Sequence, residues 1–465
     1  MRVSRRALVL GAGALGLAEA LPSRRSYADQ ATKEYRLAAN TATVNLTGDG
    51  YPDTDVWAYD GTVPGPELRV RQGDPISVVV SNNLGEDTTV HLHGIRLPNA
   101  MDGVPGLTQK PIRPGESFTY EFTPPDAGTF WYHPHADSLQ QLGCGLAGAL
   151  IVEEPEPVAV DRDLVWFIED WRLDDQGRIA GGFGNRMEAG MSGRIGNTVT
   201  LNGHGHEPVS VKAGERVRLR LVNAALARIV GFRFDGHKPV VVAYDGQPCD
   251  PHTPEGGQVV LGPAMRADLI IDMNGNPGES HGVTDDFYPD LAYKVLDLAY
   301  DAGEPARARP EQPPKLSANP LPEPDLTAAE HHQIALQGGM MGGMGGTGMS
   351  GMSGTTWAMN GMSMTGDGQP DMPPLFTLKR GKTCVLALRN ETAWWHPMHL
   401  HGHSFRVISR NGKPNELREW RDTVLVPARE TAEIAFVADN PGDWMFHCHV
   451  TDHQEAGMMT VIRVA

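Results

Sequence analysis

The stretch Leu68-Arg69-Val70-Arg71-Gln72-Gly73-Asp74-Pro75-Ile76-Ser77-Val78-Val79-Val80-Ser81-Asn82 is an apolar-alternating run, a glycine turn and a second run that ends on asparagine. Two strands and their turn give that pattern. It returns at Val209, through Gly214-Glu215, into residues 217–222 and Asn223, and again at Phe376, through Gly381-Lys382, into residues 385–388 and Asn390. One all-β domain used three times explains the recurrence. The 465 residues suffice for about three domains with separate cores, and 54 glycines and 36 prolines suit short strands and turns better than long helices.

The outer copies match further. Pro114-Gly115-Glu116 opens a run to Phe122 and leads to Gly128-Thr129-Phe130-Trp131-Tyr132-His133-Pro134-His135. Pro427-Ala428-Arg429-Glu430 opens a run to Val437 and leads to Gly442-Asp443-Trp444-Met445-Phe446-His447-Cys448-His449. His91-Leu92-His93-Gly94 likewise answers His399-Leu400-His401-Gly402. The middle copy has no such pairs; its His204 and His206 flank a turn and are expected at the surface, so that domain reads as a spacer.

In a strand, residues i and i+2 point to one face and i+1 to the other. Four His-x-His segments therefore present eight imidazoles in side-by-side pairs, too many for one metal and suited to a cluster of coppers. If His447 and His449 face that cluster, Cys448 faces away, toward a separate metal that His396, His453 and a weakly bound Met458 can complete. Two histidines, a cysteine and a distant methionine are the ligands of a blue-copper electron-transfer site.

His91-Leu-His93-Gly, His133-Pro-His135, His396-Pro-Met-His399-Leu-His401-Gly and His447-Cys-His449 with His453 and Met458 together resemble the multicopper oxidases, the family of laccases and bacterial copper-efflux oxidases. The resemblance covers essentially the whole chain after the leader, and it implies three consecutive cupredoxin-like Greek-key β-sandwiches. It implies four copper ions: a type 1 ion on His396, Cys448, His453 and Met458, a type 2 ion on His91 and His399, and a type 3 pair on His93, His133 and His449 and on His135, His401 and His447. It implies that electrons taken singly from Cu(I), phenols or aromatic amines reduce O2 to water. Asp102 resembles the family's proton donor. Gln454 stands where bacterial members often have glutamate, with Glu455 one place later as in fungal laccases, so Glu455 is the second relay candidate. Thr392-Ala393-Trp394-Trp395 replaces the acidic residue and methionine that copper-efflux oxidases often place there.

Residues 338–372 carry nine of the nineteen methionines: Met340, Met341, Met344, Met349, Met352, Met359, Met362, Met364 and Met372. Intervening glycine and serine exclude a stable core helix over the early part. A bare linker or a packing stripe is the plain alternative, but thioether sulfur is soft and suits Cu(I), so the segment is read as gathering additional Cu(I). Trp357-Ala358-Met359-Asn360-Gly361 is expected to form the first strand of the third domain.

Residues 1–28 read as a twin-arginine export signal: Arg5-Arg6, an apolar run to Leu17, then small residues. That run is shorter than the ~20 residues a spanning helix needs, so export to periplasm or exterior is expected, without stable membrane insertion. Removing the signal leaves 56 acidic against 35 basic residues, net −21, which argues against nucleic acid or anionic membrane as partner. Expected boundaries are 29–155, 156–302, a Pro-rich linker 303–330, and 331–465. Cys144, Cys249 and Cys384 form an odd set that assigns no disulfide and read as small hydrophobes.

The function expected is a monomeric, O2-dependent oxidase of Cu(I) or phenols serving copper tolerance. A general laccase and a non-catalytic copper-binding scaffold are the alternatives; the complete ligand set counts against the scaffold, and the four His-x-His pairs against a copper nitrite reductase.

Overall fold

Each strand–turn–strand unit crosses between the two sheets of a sandwich. Gly65–Arg71 and Ile76–Asn82 lie in different sheets, as do Val209–Val211 and Arg216–Asn223, and Pro374–Leu378 and Thr383–Asn390. The turn needs a left-handed residue, supplied by Gly73, Gly214 and Gly381 at φ +83°, +80° and +80°. The computed structural model describes residues 32–306, 312–340, 357–365 and 372–465. The expected export signal and Met341, Met344, Met349 and Met352 lie outside these.

The pairing repeats too. In each sandwich the first long strand runs parallel to the strand that ends in asparagine: Lys33–Val44 with Ile76–Asn82, Arg162–Trp171 with Arg216–Asn223, Glu330–Gly338 with Thr383–Asn390. An antiparallel neighbour follows on the other side, Ser117–Phe122, Arg266–Asp272 and Thr431–Val437 respectively. The asparagines are hubs. Asn223 donates through Nδ2 to the carbonyls of Arg228 and Leu261, both at 2.9 Å, and accepts the Ala225 N–H; Asn82 and Asn390 make the equivalent bonds in their own sandwiches. At ~1 kcal/mol per bond, each hub ties a strand end to a loop and to a distant strand.

Three apolar cores fill the sandwiches, around Tyr120 and Leu150, around Leu219 and Phe232, and around Leu386 and Trp444. A smaller cluster with Trp131, Phe167 and Val222 joins the first two sandwiches. The described part of the Pro-rich linker is packed down rather than free: Asn319 exchanges hydrogen bonds with the Ala127 backbone and donates to Gln247 Oε1, and Leu316 is buried. The four cysteines are thiols. Among the described residues no helix is long and apolar enough to cross a membrane.

Two expectations need correction. Trp357–Met359 is not the first strand of its sheet; Glu330–Gly338 precedes it and pairs antiparallel with it, Leu336 opposite Met359. That register turns Met359 inward, where it is fully buried in the third core, so it packs there and does not gather Cu(I) at the surface. Among the other described methionines, Met362 is exposed, Met340 and Met364 are half-buried and Met372 is buried.

Candidate metal centres

Strand pairing delivers the histidines. His91–His93 runs antiparallel to Gly128–His133 with His91 opposite His133, and His396–Leu400 runs antiparallel to Gly442–Cys448 with His399 opposite His447. The period of two sends Cys448 into the apolar core of the third sandwich, alongside Trp357, Met398 and Met458. The corresponding strands of the middle sandwich, Val230–Phe234 and Ser280–Asp285, carry no His-x-His pair.

At the Cys448 side, Sγ lies 3.5 Å from His396 Nδ1 and 3.7 Å from His453 Nδ1, and these two nitrogens are 3.2 Å apart. The protons are elsewhere. His453 Nε2–H donates to the Met191 carbonyl at 2.8 Å, which can only accept. Thr392 donates its hydroxyl proton to Asn390 Oδ1, so it accepts from His396 Nε2–H at 2.8 Å. Both Nδ1 lone pairs therefore converge on the thiol. Met458 is fully buried in the same cluster, and its carbonyl accepts the Cys448 N–H at 3.0 Å. Burial pushes the Cys448 thiol up, pushes His396 well down and brings His453 to about 3. Two neutral imidazoles around a thiol invite a cation that displaces the thiol proton.

The same reasoning fixes the larger cluster. His91 Nδ1–H donates to the Asp102 carbonyl (2.7 Å), His399 Nδ1–H to the Asp422 carbonyl (2.9 Å), His133 Nδ1–H to the Pro134 carbonyl (2.9 Å) and His447 Nδ1–H to the Cys448 carbonyl (3.0 Å). His401 Nδ1–H donates to Asp102 Oδ2 at 2.9 Å. All five leave Nε2 as a lone pair. His93 is turned round: its Nε2–H donates to Asp422 Oδ1 at 3.1 Å and Nδ1 is left over. His91 Nε2, His399 Nε2 and His93 Nδ1 are buried without a hydrogen-bond partner, an arrangement that is costly unless something binds there. The freed nitrogens converge in pairs, His401 and His447 Nε2 at 3.0 Å, His133 and His449 Nε2 at 3.4 Å.

Ligand atoms of His135, His401 and His447 lie within 4.8 Å of one another, as do those of His91, His399 and His401, and of His91, His93 and His133. Seven of the eight predicted rings thus fall in these groupings, His91 and His401 each shared between two, and His449 joins through His133. Burial first, and neighbouring rings second, push His93, His135, His401 and His449 well below the usual imidazole range. Neutral, pre-oriented imidazoles held by carbonyls and carboxylates are the donor set copper takes, so the residues fit the ions the sequence implies.

Asp102 is buried against this cluster through His401 and His91. Glu455 Oε1 accepts the Leu139 N–H at 2.8 Å, at the start of the helix Ser138–Gly143. That helix follows His135 directly and draws the carboxylate to its free N–H groups.

Several residues escaped the sequence. Asp422 and Thr423 hold His93 and His399, though a charged pair inside Trp420-Arg421-Asp422-Thr423-Val424-Leu425-Val426 is itself an anomaly worth reading. Trp131 stacks on His133 at 4.3 Å, and Trp357 lies 4.1 Å from His453. The middle sandwich is more than a spacer: successive carbonyls of Ala189, Gly190 and Met191 accept from Trp357 Nε1, the Met340 N–H and His453 Nε2.

Multicopper oxidase family profiles match residues 40–157, 162–280 and 348–465. A multicopper oxidase of Mycobacterium tuberculosis, MmcO, is 30% identical over 91% of this chain and 85% of its own. Laccase-2 of Botryotinia fuckeliana is 29% identical over 92% of this chain and 81% of its own. The crystal structure of a multicopper oxidase from Pseudomonas thermotolerans is 37% identical, with 94% of this chain and 100% of that one covered at a TM-score of 0.83. Three matched domains, a full-length relative and the converging histidines together make this chain a member of the multicopper oxidases, copper enzymes that oxidise a reductant with O2.

Proposed function

We propose that the protein is an exported cuprous oxidase that holds four coppers and couples Cu(I) oxidation to the reduction of O2, serving copper tolerance. His396, Cys448, His453 and Met458 would hold the type 1 ion, His91 and His399 the type 2 ion, and His93, His133 and His449 with His135, His401 and His447 the type 3 pair. Copper bound there supplies one-electron oxidation at the first centre and four-electron reduction of O2 at the second: four Cu(I), one O2 and four protons give four Cu(II) and two waters. The chain's own part is to keep the rings neutral and aimed, to exclude water, and to bring protons through Asp102, which bonds His401 directly. Cys448 is continuous with His447 and His449, so the two centres share a backbone. Glu455, which accepts the Leu139 N–H through Oε1, is the second relay candidate.

One observation carries Cu(I) as substrate. The Met-rich residues 341–356 leave and rejoin the described chain beside the type 1 ligands: Met340 bonds Gly190 and accepts from Trp394 Nε1, and Trp357 packs against both His453 and His396. Both described flanks of the segment thus lie by the site where an electron must enter, and the thioethers of the sequence between them suit Cu(I). A phenol is the second reading, favoured by Trp395, 38% exposed beside His396 and edge-to-face on Phe287 at 5.5 Å. Replacing Met341, Met344, Met349 and Met352 together by serine separates the two: Cu(I) turnover is expected to fall about tenfold or more with phenol turnover within about twofold. Equal losses on both substrates would rule out a substrate role for the segment. Export rests on Arg5-Arg6 and the apolar run behind them.

A further inference from the structure

Arg266 belongs to the middle sandwich, on the strand Arg266–Asp272, yet its guanidinium is fully buried against a carboxylate of the third. Nη1 donates to Asp422 Oδ1 at 2.8 Å and Nη2 to Asp422 Oδ2 at 2.5 Å, a two-point grip that fixes the carboxylate plane. Two further donors go to the Thr129 carbonyl of the first sandwich (3.2 Å) and the Ala264 carbonyl (3.0 Å). One side chain thus ties three sandwiches together.

Everything gripped is aimed at two histidines. Asp422 Oδ1 accepts His93 Nε2–H at 3.1 Å, and the Asp422 carbonyl accepts His399 Nδ1–H at 2.9 Å. Thr423 Oγ1, which donates to Asp422 Oδ1 at 2.8 Å, lies 3.3 Å from His93 Nε2 and 3.2 Å from His399 Nδ1. The two rings, one from each outer sandwich, stack at 3.7 Å. Asp245 braces the grip from behind, accepting the Arg266 N–H at 2.8 Å and the Thr423 N–H at 3.2 Å. Gly94, next to His93 and left-handed at φ +85°, leaves room for it: a Cβ there would stand 2.4 Å from both Arg266 Nη2 and Asp422 Oδ2. The glycine of the His-Leu-His-Gly motif is thus required by a residue from another domain.

We infer that Arg266 is a positioning residue for the trinuclear copper site, and that through Asp422 it makes copper retention on His93 and His399 depend on the docked middle sandwich. The inference rests on the copper-ligand assignment above. The gripped carboxylate, with Thr423 beside it, keeps His93 turned with Nδ1 inward, opposite to its neighbours. A lysine supplies the charge without the fork.

The test uses the full-length, copper-loaded protein. Arg266→Gln, Arg266→Lys and the charge-neutral pair Arg266→Gln with Asp422→Asn are compared by copper content, type 2 electron paramagnetic resonance and copper retention against a chelator. Expected are an intact blue type 1 signal, an altered type 2 hyperfine pattern and about 10–100-fold weaker retention of cluster copper, with Arg266→Lys intermediate. Arg218→Gln is the control, since Arg218 makes a comparably buried pair with Asp268 that touches no histidine; it should lower thermal stability and leave the type 2 signal alone. Should Arg266→Gln fail to fold, the neutral pair decides, because it strands no buried charge. Full copper with a wild-type type 2 signal in that pair overturns the inference. Absence of a type 2 signal from the unmodified protein would instead refute the ligand assignment.

Discussion

Cys448 is the residue on which two centres meet. Its thiol is buried and pushed up, so it is held as a thiolate only by a bound cation. Cys448→Ser is therefore expected to abolish the blue colour while the type 3 pair remains detectable, by absorption and paramagnetic resonance; a blue variant contradicts the type 1 assignment. Asp102→Asn keeps the bond from His401 but cannot yield a proton. It should reoxidise with O2 about 10²-fold or more slowly, with type 1 reduction and copper content unchanged, as stopped-flow mixing would report. At this scale the converging histidines and Cys448 were legible because each lies within five residues of another on one strand or turn. Asp422 was not, since its meaning comes from Arg266, 156 residues away.

At the scale of elements, strand alternation explains how one strand, Gly442–Cys448, serves a core and a cluster at once. The three crossovers were readable because a left-handed glycine and a terminal asparagine mark each one. The strand Glu330–Gly338 was harder to see: only Ile334, Ala335 and Leu336 of its nine residues are apolar and inward, and two histidines precede them. Met359 was misread because a methionine among methionines gives no sign of facing inward until its partner strand is known. The asparagine hubs carry their own prediction. Asn223→Ala removes bonds to two buried carbonyls and one N–H in the middle sandwich, whose paired strands carry no His-x-His. A loss of about 2–4 kcal/mol in denaturant unfolding is expected, with all copper signals retained; an unchanged midpoint would show that the hub is dispensable.

For the molecule as a whole, neutral buried imidazoles set the response to acid. His453 falls from the ordinary 6.5 to about 3 and His403 to about 4, chiefly through burial, and His93, His133, His135, His401, His447 and His449 fall well below their usual range. The unfolded chain takes up these protons near pH 6.5 and the fold does not. Below that pH the unfolded state binds more protons, so stability falls as pH drops toward 3, and above it the effect vanishes. Metal-free protein should accordingly melt markedly lower at about pH 5 than at about pH 7.5, with copper-loaded protein protected; equal melting of the metal-free form at both would contradict the burial of neutral rings. The threefold architecture was legible from a repeated pattern, but the middle domain's share in the centres was not, because Arg266 and the Met191 carbonyl act only once three sandwiches meet.

The measurement that bears most directly on the function is oxygen uptake by the copper-loaded protein, offered Cu(I) and then a simple phenol, each corrected for uncatalysed oxidation. Four Cu(I) consumed per O2 without peroxide, at a rate well above that with phenol, is the expected result. Faster turnover with the phenol, or peroxide as the product, would contradict a cuprous oxidase that carries O2 through to water.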